Sequence, residues 1–221
     1  MTRTPGSAGP GSTKPLLIAC ALGIERLALR GGDRSGAAGP VLVLRTGMGA
    51  EAADYAVART LGEAGPVRDA AVVASGFCAG LADGMHPGDV VVATETRDSR
   101  GSTACTDVEL LADAVARALP GRAVHTGPLV GSDHVVRGTA ERAALRATGA
   151  VGVDMESAAT LAGALRVGPR PVAAVRVVVD APGHELVRLG TLGGGISAFR
   201  VLRQVLPAFY EWHRSLLLPR R

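Results

Sequence analysis

The stretch Ala70–Gly80 reads AAVVASGFCAG, and it decides the fold class. Its first part, Ala70–Ser75, is a short apolar run with no alternation of polar and apolar residues, which is typical of a strand buried on both faces. Its second part, Gly76–Gly80, predicts a glycine-containing turn. A strand covered on both faces needs helices above and below it, so the sequence indicates an α/β protein.

Further strands and helices alternate with this strand along the chain, and no internal linker or repeat interrupts residues 16–217. Strands are predicted at Leu16–Ala21, Val41–Arg45, Asp89–Ala93, Ala123–Val130, Val151–Asp154 and Pro171–Val179. Helices are predicted at Ile24–Arg30, Glu51–Leu61, Asp107–Leu119, Thr139–Ala147, Met155–Leu165 and Ile196–Leu217. The predicted fold is a three-layer α/β/α domain with a central mixed sheet, over residues 16–221.

The distribution of charge bears on the function class. The chain of 221 residues has a formal net charge of +4, which alone would favour a nucleic-acid or anionic-membrane partner. Residues 1–15 carry +2 and residues 196–221 carry +4, which leaves −2 for residues 16–195. The slightly acidic middle of the chain favours an enzyme acting on a small molecule over a protein that binds nucleic acid.

The ends of the chain and its cysteines predict the compartment. Residues 1–15, rich in Gly, Ser, Thr and Pro, predict a disordered tail and not a signal peptide. Cys20, Cys78 and Cys105 are widely spaced without a CxxC pair, which favours neither a disulfide framework nor a metal site. No apolar run reaches transmembrane length. We expect a cytoplasmic protein.

Charged residues and glycines follow several predicted strands, at the edge of an α/β sheet where ligands bind. Carboxylates and an arginine that converge with glycine-rich turns suit acid–base chemistry on a polar small molecule. Taken singly, each residue has a structural interpretation as a turn glycine, a helix cap or an ion-pair partner. The candidates are Glu25, Gly47, Gly76, Glu156, Arg176 and Asp180.

Taken together and in order, these motifs resemble the nucleoside phosphorylase/nucleosidase superfamily, which includes methylthioadenosine/S-adenosylhomocysteine nucleosidases. The stretches Ala21–Glu25, Val177–Gly183 and Gly194–Phe209 are most similar to the hopanoid-associated phosphorylase, which is thought to remove adenine from adenosylhopane. The matching stretches cover nearly the whole chain: Leu17–Leu27 (LIACALGIERL), Thr46–Gly49 (TGMG), Ser75–Leu81 (SGFCAGL), Pro87–Ala93 (PGDVVVA), Leu129–Val136 (LVGSDHVV), Val153–Ala158 (VDMESA) and Val175–Asp180 (VRVVVD).

The resemblance implies a role for each of the acidic candidates. Asp180 matches the acid that protonates or hydrogen-bonds purine N7, which neutralises the base as the N-glycosidic bond breaks. Glu156 matches the carboxylate that binds the ribose hydroxyls, with Met155 packing on the sugar. Glu25 matches the base that activates water, and Arg176 matches its positioning partner.

The remaining matches concern the purine and the floor of the site. Val135 and Val136 fall where the family holds the base, the latter through its backbone. The turns at Gly47–Gly49 and Gly76–Gly80 match the floor under the ribose and the nucleophile. Phe77 replaces a small hydroxyl residue, and it is a candidate to stack on adenine because Val135 replaces the family's aromatic residue there.

Several alternatives stay open at the level of sequence. Glu25 favours water as the nucleophile, since a carboxylate repels phosphate, whereas the family name favours inorganic phosphate, for which Arg45 could supply charge. No other cofactor is implied. The alternative substrates are methylthioadenosine, S-adenosylhomocysteine and futalosine, and a non-catalytic nucleoside- or lipid-binding protein is the alternative outside the class. The resemblance also implies a homo-oligomer.

The predicted C-terminal helix has a broad apolar face with arginines among the apolar residues. We expect this face to pack on the sheet. The alternative is peripheral contact with an anionic membrane or with a lipid-tailed nucleoside. Because aromatic residues are scarce in this chain, the rings to consider for base or lipid contacts are Phe77, Phe199, Phe209, Tyr210 and Trp212.

Overall fold

The computed structural model describes residues 14–63, 65–182 and 192–218, without the side chains of residues 192–196. Apart from Lys14 and Pro15, the predicted N-terminal tail therefore lies outside the described residues. The strands are β1 (Leu16–Cys20), β2 (Val41–Arg45), β3 (Ala71–Gly80), β4 (Val90–Asp98), β5 (Gly101–Ala104), β6 (Val124–Gly131), β7 (Gly152–Asp154) and β8 (Val172–Asp180). The helices are α1 (Gly23–Arg30), α2 (Ala50–Gly62), α3 (Val108–Ala118), α4 (Thr139–Ala147), α5 (Ser157–Val167), α6 (Leu192–Gln204) and α7 (Leu206–Leu217).

The long strand β3 organises the mixed sheet. Its first half pairs in parallel with β1, which in turn pairs in parallel with β2. Along most of its length β3 also pairs in parallel with β8, and its last residues pair antiparallel with β7. The pairings β8–β4, β4–β6 and β6–β7 then close a ring of five strands that begins and ends at β3, with β5 added to β4 as a hairpin.

Helices cover both faces of this sheet, because the strand residues alternate between two apolar clusters. Leu16 and Ile18 of β1 face a cluster completed by α1, α3, α6 and α7. Leu17 and Ala19 face a second cluster completed by α2 and α5. The predicted three-layer α/β/α fold with a mixed sheet is confirmed.

The prediction of a turn at Gly76–Gly80 is wrong. These residues form the second half of β3, because β8 and β7 supply backbone partners on its two sides. Gly76 and Gly80 allow other side chains to approach the strand closely. The polar hairpin of β4 and β5 was not predicted, because its exposed residues lack an apolar period.

The prediction of a single C-terminal helix over Ile196–Leu217 is also wrong. The segment forms two helices, α6 and α7, with a break at Val205. Pro207 lies in the first turn of α7 and has no N–H to continue the hydrogen bonds of α6. At this break Gly32 packs so closely that a Cβ atom there would lie 2.5 Å from the Arg203 carbonyl oxygen.

The aromatic side chains of α7 belong to the core. Phe209, Tyr210 and Trp212 are fully buried, and the Trp212 Nε1–H donates a 2.9 Å hydrogen bond to the Thr106 carbonyl. The apolar face of the C-terminal segment is thus used by the sheet, as we expected. Within the described ranges, no helix has the length and apolar character that a membrane span requires.

Candidate active site

Glu25 joins the first strand–helix junction to β3. It is the third residue of α1, where backbone N–H groups have no partners within the helix. The N–H groups of Ala21 and Leu22 donate to its Oε2 at 2.9 and 2.8 Å, and the Phe77 N–H donates to its Oε1 at 2.8 Å. The carboxyl group is therefore buried, and backbone donors from the end of β1 and from the second half of β3 hold it.

Gly76 is the point of β3 over which Glu25 and Arg176 meet. Its φ of +144° lies in a region that L-residues rarely adopt. A Cβ atom there would lie 2.5 Å from Glu25 Oε1 and 2.7 Å from Arg176 Nη1. The glycine therefore makes room for the two charged side chains that the sequence motifs predicted to work together.

Arg176 is fully buried in the middle of β8, and its direct ion-pair partner is Asp154 at the end of β7. Its Nε lies 2.7 Å from Asp154 Oδ2 and donates to Ser157 Oγ at 2.8 Å. Asp154 also accepts from the Ser157 N–H, so it satisfies the first backbone donor of α5 while it pairs with Arg176. Burial lowers the pKa of Arg176, but Asp154, Glu25 and Glu156 outweigh burial and raise it.

Glu156, between β7 and α5, reaches across to the turn after β2. Its Oε1 accepts a 2.8 Å hydrogen bond from the Gly49 N–H, in the turn that begins with Gly47. Burial raises the pKa of Glu156, although Arg176 and the Gly49 N–H both lower it. Met155 is half-buried beside it. We call Glu25, Asp154, Glu156 and Arg176 the Glu25 cluster.

Asp180 ends β8, and its side chain forms an ion pair with Arg142 of α4. The Asp180 side chain is 21% exposed, whereas Arg142 is almost fully buried and also directs Nη1 at the Gly80 carbonyl, 3.5 Å away. We call Arg142 and Asp180 the Asp180 pair. In the register of the sheet Asp180 lies opposite Ala79, three residues beyond Gly76, or about 10 Å along β3.

The residues predicted to hold the base lie near this second group. Val135 is 62% exposed in the connection between β6 and α4, and Val136 is buried against Leu81 and Val153. Phe77 is half-buried and packs against the apolar cluster under α1, α3, α6 and α7. The buried rings of α7 are closed off from ligands by the core, so of the aromatic candidates Phe77 and the half-buried Phe199 remain.

The geometry thus presents a cluster of buried carboxylates around Arg176, next to Gly76 of β3, and a carboxyl–guanidinium pair at the end of β8, opposite Ala79 of β3. The model of the phosphorylase superfamily matches residues 34–188, which is more than half of the chain. The chain belongs to this superfamily. The predicted superfamily is confirmed, and with it the prediction of an enzyme of the phosphorylase or nucleosidase class.

Solved structures show the same phosphorylase-superfamily fold. The methylthioadenosine/S-adenosylhomocysteine nucleosidase of Neisseria meningitidis, in complex with methylthio-immucillin-A, is 21% identical over 91% of this chain and 99% of its own, with a TM-score of 0.73. The Streptococcus pneumoniae nucleosidase with 8-aminoadenine is 19% identical over 90% and 99%, with a TM-score of 0.71. That of Colwellia psychrerythraea with adenine is 18% identical over 92% and 96%, with a TM-score of 0.68. No curated protein matches the sequence.

Two members of this candidate site were not predicted from the sequence. Ser157 bridges Asp154 and Arg176, and Arg142 binds Asp180. The available signal for Arg142 was weak, because Arg137 and Arg146 lie in the same polar stretch. Among the described residues, no three His, Cys, Asp or Glu side chains are grouped to hold a metal ion.

Proposed function

We propose that this protein hydrolyses the N-glycosidic bond of an adenine nucleoside. The observation that carries the proposal is the Glu25 cluster, in which three buried carboxylates surround Arg176, and Glu25 and Arg176 meet over Gly76, in a chain of the phosphorylase superfamily. Buried carboxylates suit a reaction whose transition state carries positive charge on a sugar ring.

Each residue of the cluster has a role in the proposed reaction. Glu25 takes a proton from water as the water oxygen attacks C1′, and the C1′–N9 bond breaks with its electron pair moving to the base. Glu156 accepts hydrogen bonds from the ribose hydroxyls, and its charge stabilises the oxocarbenium-like sugar, on which Met155 packs. Asp180 binds the purine at N7 and supplies the proton that neutralises it. Arg176 holds Asp154 and balances the charge of the neighbouring carboxylates.

Water is the nucleophile that the charges of the site favour. Among the described residues, the Glu25 cluster contains three carboxylates and one guanidinium, and that guanidinium already pairs with Asp154 at 2.7 Å. An incoming phosphate dianion would meet net negative charge there. Arg45, the candidate to bind phosphate, ends β2 with an exposed side chain, where solvent screens its charge. Phosphate is therefore the less favoured co-substrate. The proposed reaction needs no cofactor.

Adenosylhopane is our proposed substrate, on the sequence resemblance and on an apolar rim beside the site. The outward face of α1 exposes Ile24 (49%) and Leu27 (62%), and Met48 (69%) projects between Gly47 and Gly49. A large apolar group on the ribose 5′ carbon would cover such a rim. A second copy of the chain would cover it equally, in line with the homo-oligomer that we propose from the resemblance. Methylthioadenosine, S-adenosylhomocysteine and futalosine remain the alternative substrates.

We also propose peripheral contact with an anionic membrane, made by exposed arginines and not by an apolar helix face. The apolar residues of α7 are buried, so the groups of the C-terminal helices available to a membrane are the exposed Arg200, Arg203 and Arg214. Such contact would be electrostatic, at about 1 kcal/mol for each arginine. Sedimentation with phosphatidylserine vesicles at low and high salt tests it: binding that persists at high salt, or is absent at low salt, would reject it.

The function is tested by measuring free adenine after incubation with adenosylhopane, methylthioadenosine and S-adenosylhomocysteine, each with and without phosphate. We expect release from adenosylhopane in both buffers. Release from methylthioadenosine alone would correct the substrate, and release only with phosphate would correct the nucleophile. If no nucleoside releases adenine, the result favours the alternative of a non-catalytic nucleoside- or lipid-binding protein.

A further inference from the structure

The helix α4 buries an arginine where a surface helix ordinarily buries a leucine. All of its residues are described, and Arg142 is the one that is buried. Burying a guanidinium is costly unless it is paired, and here the Nε atom has no hydrogen-bond partner among the described residues. A helix that only covered the sheet would be more stable with an apolar side chain at this position, so the structure requires another reason for the arginine.

The contacts of Arg142 supply that reason. Its guanidinium spans the ends of two strands, with Nη2 on Asp180 Oδ2 of β8 and Nη1 near the Gly80 carbonyl of β3. Between these strands the register shifts at Cys78/Ala79, immediately before the Asp180 position. The carboxyl group predicted to act on the purine therefore lies at an irregular strand end, and among the described residues Arg142 forms an ion pair with it there.

The same helix is tied to the connection that carries Val135 and Val136. Glu141, next to Arg142, lies 2.7 Å from His134 Nε2 and accepts the Arg137 N–H at 3.1 Å. The connection and the first turn of α4 thus form one unit. The residues predicted to contact the base and the arginine that holds Asp180 belong to that unit.

We propose that Arg142 is a positioning residue that acts through Asp180, an inference that rests on the proposed function. The guanidinium fixes the orientation of the Asp180 carboxyl group. In the proposed reaction Asp180 takes up a proton from solvent when the purine binds and passes it to N7 as the C1′–N9 bond breaks, and it then returns to the carboxylate that Arg142 stabilises in the ion pair. Both effects are larger in the transition state than in the substrate complex. Loss of Arg142 should therefore lower kcat and leave KM nearly unchanged.

The test is a double-mutant cycle of Arg142→Met and Asp180→Asn, measured as kcat and KM for adenine release. We expect Arg142→Met to lower kcat about 10- to 100-fold with KM changed less than about threefold, and to have little further effect in the Asp180→Asn background. Arg142→Lys, which keeps a charge, should recover part of kcat. Arg146→Met is the matched control, since the side chain of Arg146, one turn further along the same helix, is 48% exposed and pairs with Asp83.

Two results would overturn the inference while the wild type remains active. One is an unchanged kcat in Arg142→Met, and the other is an equal loss of kcat in the wild-type and Asp180→Asn backgrounds, which indicates a role independent of Asp180. If Arg142→Met does not fold, Arg142→Lys decides: a kcat at the wild-type level together with a lowered melting temperature would mean that Arg142 only stabilises the fold. A wild-type protein that releases no adenine would instead reject the proposed function.

Discussion

The two ends of the candidate site are built differently. The Glu25 cluster is buried, and backbone N–H groups from the β1–α1 junction, β3 and the turn after β2 hold its carboxylates. The Asp180 pair includes a side chain from a helix outside the sheet, Arg142 of α4, next to a connection that exposes Val135. The end that would perform the chemistry at C1′ is therefore preorganised by the sheet, whereas the end that would receive the purine depends on α4 and its connection.

The largest effect should come from Glu25→Gln, which disrupts the preorganised end. We expect adenine release to fall about 10²–10⁴-fold, because an amide cannot take a proton from water. The variant should also lose about 1–3 kcal/mol of unfolding free energy, since its NH₂ group would face a backbone N–H donor. Glu51→Gln, an exposed acid in the first turn of α2, is the control, and full activity in Glu25→Gln would reject the base.

Asp180→Asn disrupts the other end, with an effect on both activity and stability. We expect most activity to be lost, about 10²-fold or more, because the purine loses its proton donor. The structure adds that Arg142 would be left buried beside a neutral group, so the melting temperature should fall as well. Adding Arg142→Met should restore the melting temperature without restoring activity. Recovery of both properties would contradict the proposed role of Asp180.

Gly76→Ala perturbs the Glu25 cluster without removing a charge. The new methyl group would displace Glu25 and Arg176, which approach its position to 2.5 and 2.7 Å. We expect about a 10-fold or greater loss of adenine release. Gly84→Ala is the matched control, because Gly84 also has a positive φ, of +77°, with no atom within 4 Å of the added Cβ. Equal losses in the two variants would show that backbone strain alone is responsible.

Glu156→Gln should show that the buried carboxylate costs stability at neutral pH. Burial raises the pKa of Glu156 above its ordinary value of 4.5. The contribution of Glu156 to the free energy of unfolding is therefore fully present below pH 4.5, and it is lost as the pH rises through the raised pKa. The melting temperature of Glu156→Gln relative to wild type should therefore increase between pH 4 and pH 8. Thermal unfolding across this range measures it, and a difference that decreases with pH would contradict the sign. Glu95→Gln, at a partly exposed carboxylate, is the control.

Most of the fold could be predicted from the sequence because buried strands and amphipathic helices have distinct periods. The helix Thr139–Ala147 was placed with its observed bounds, and Val41–Arg45 likewise. The prediction of a turn at Gly76–Gly80 was wrong because the sequence does not distinguish a glycine that makes room for Glu25 from a glycine that allows a turn. The helix break at Val205 was not predicted, although the sequence contains Pro207, because the helical spacing of apolar residues continues through the break.

The candidate site was only partly visible in the sequence. Glu25 and Glu156 could be singled out because they follow strands, and Arg176 because it lies in a recognisable motif before Asp180; the structure brings the three together at Gly76 and Gly49. Arg142 could not, because its partner Asp180 lies 38 residues away and only the fold joins them. The direct partner of Arg176 was also hidden, since Asp154 could equally have been a simple helix cap.

In the proposed reaction Glu25 directs water to C1′ of an adenine nucleoside. The most direct measurement is turnover in phosphate-free buffer made with oxygen-18 water, followed by mass spectrometry of the sugar product and quantification of adenine. We predict one labelled oxygen on the sugar for each adenine released, and the loss of both signals in Glu25→Gln. Adenine release that requires phosphate and gives an unlabelled sugar phosphate would contradict it.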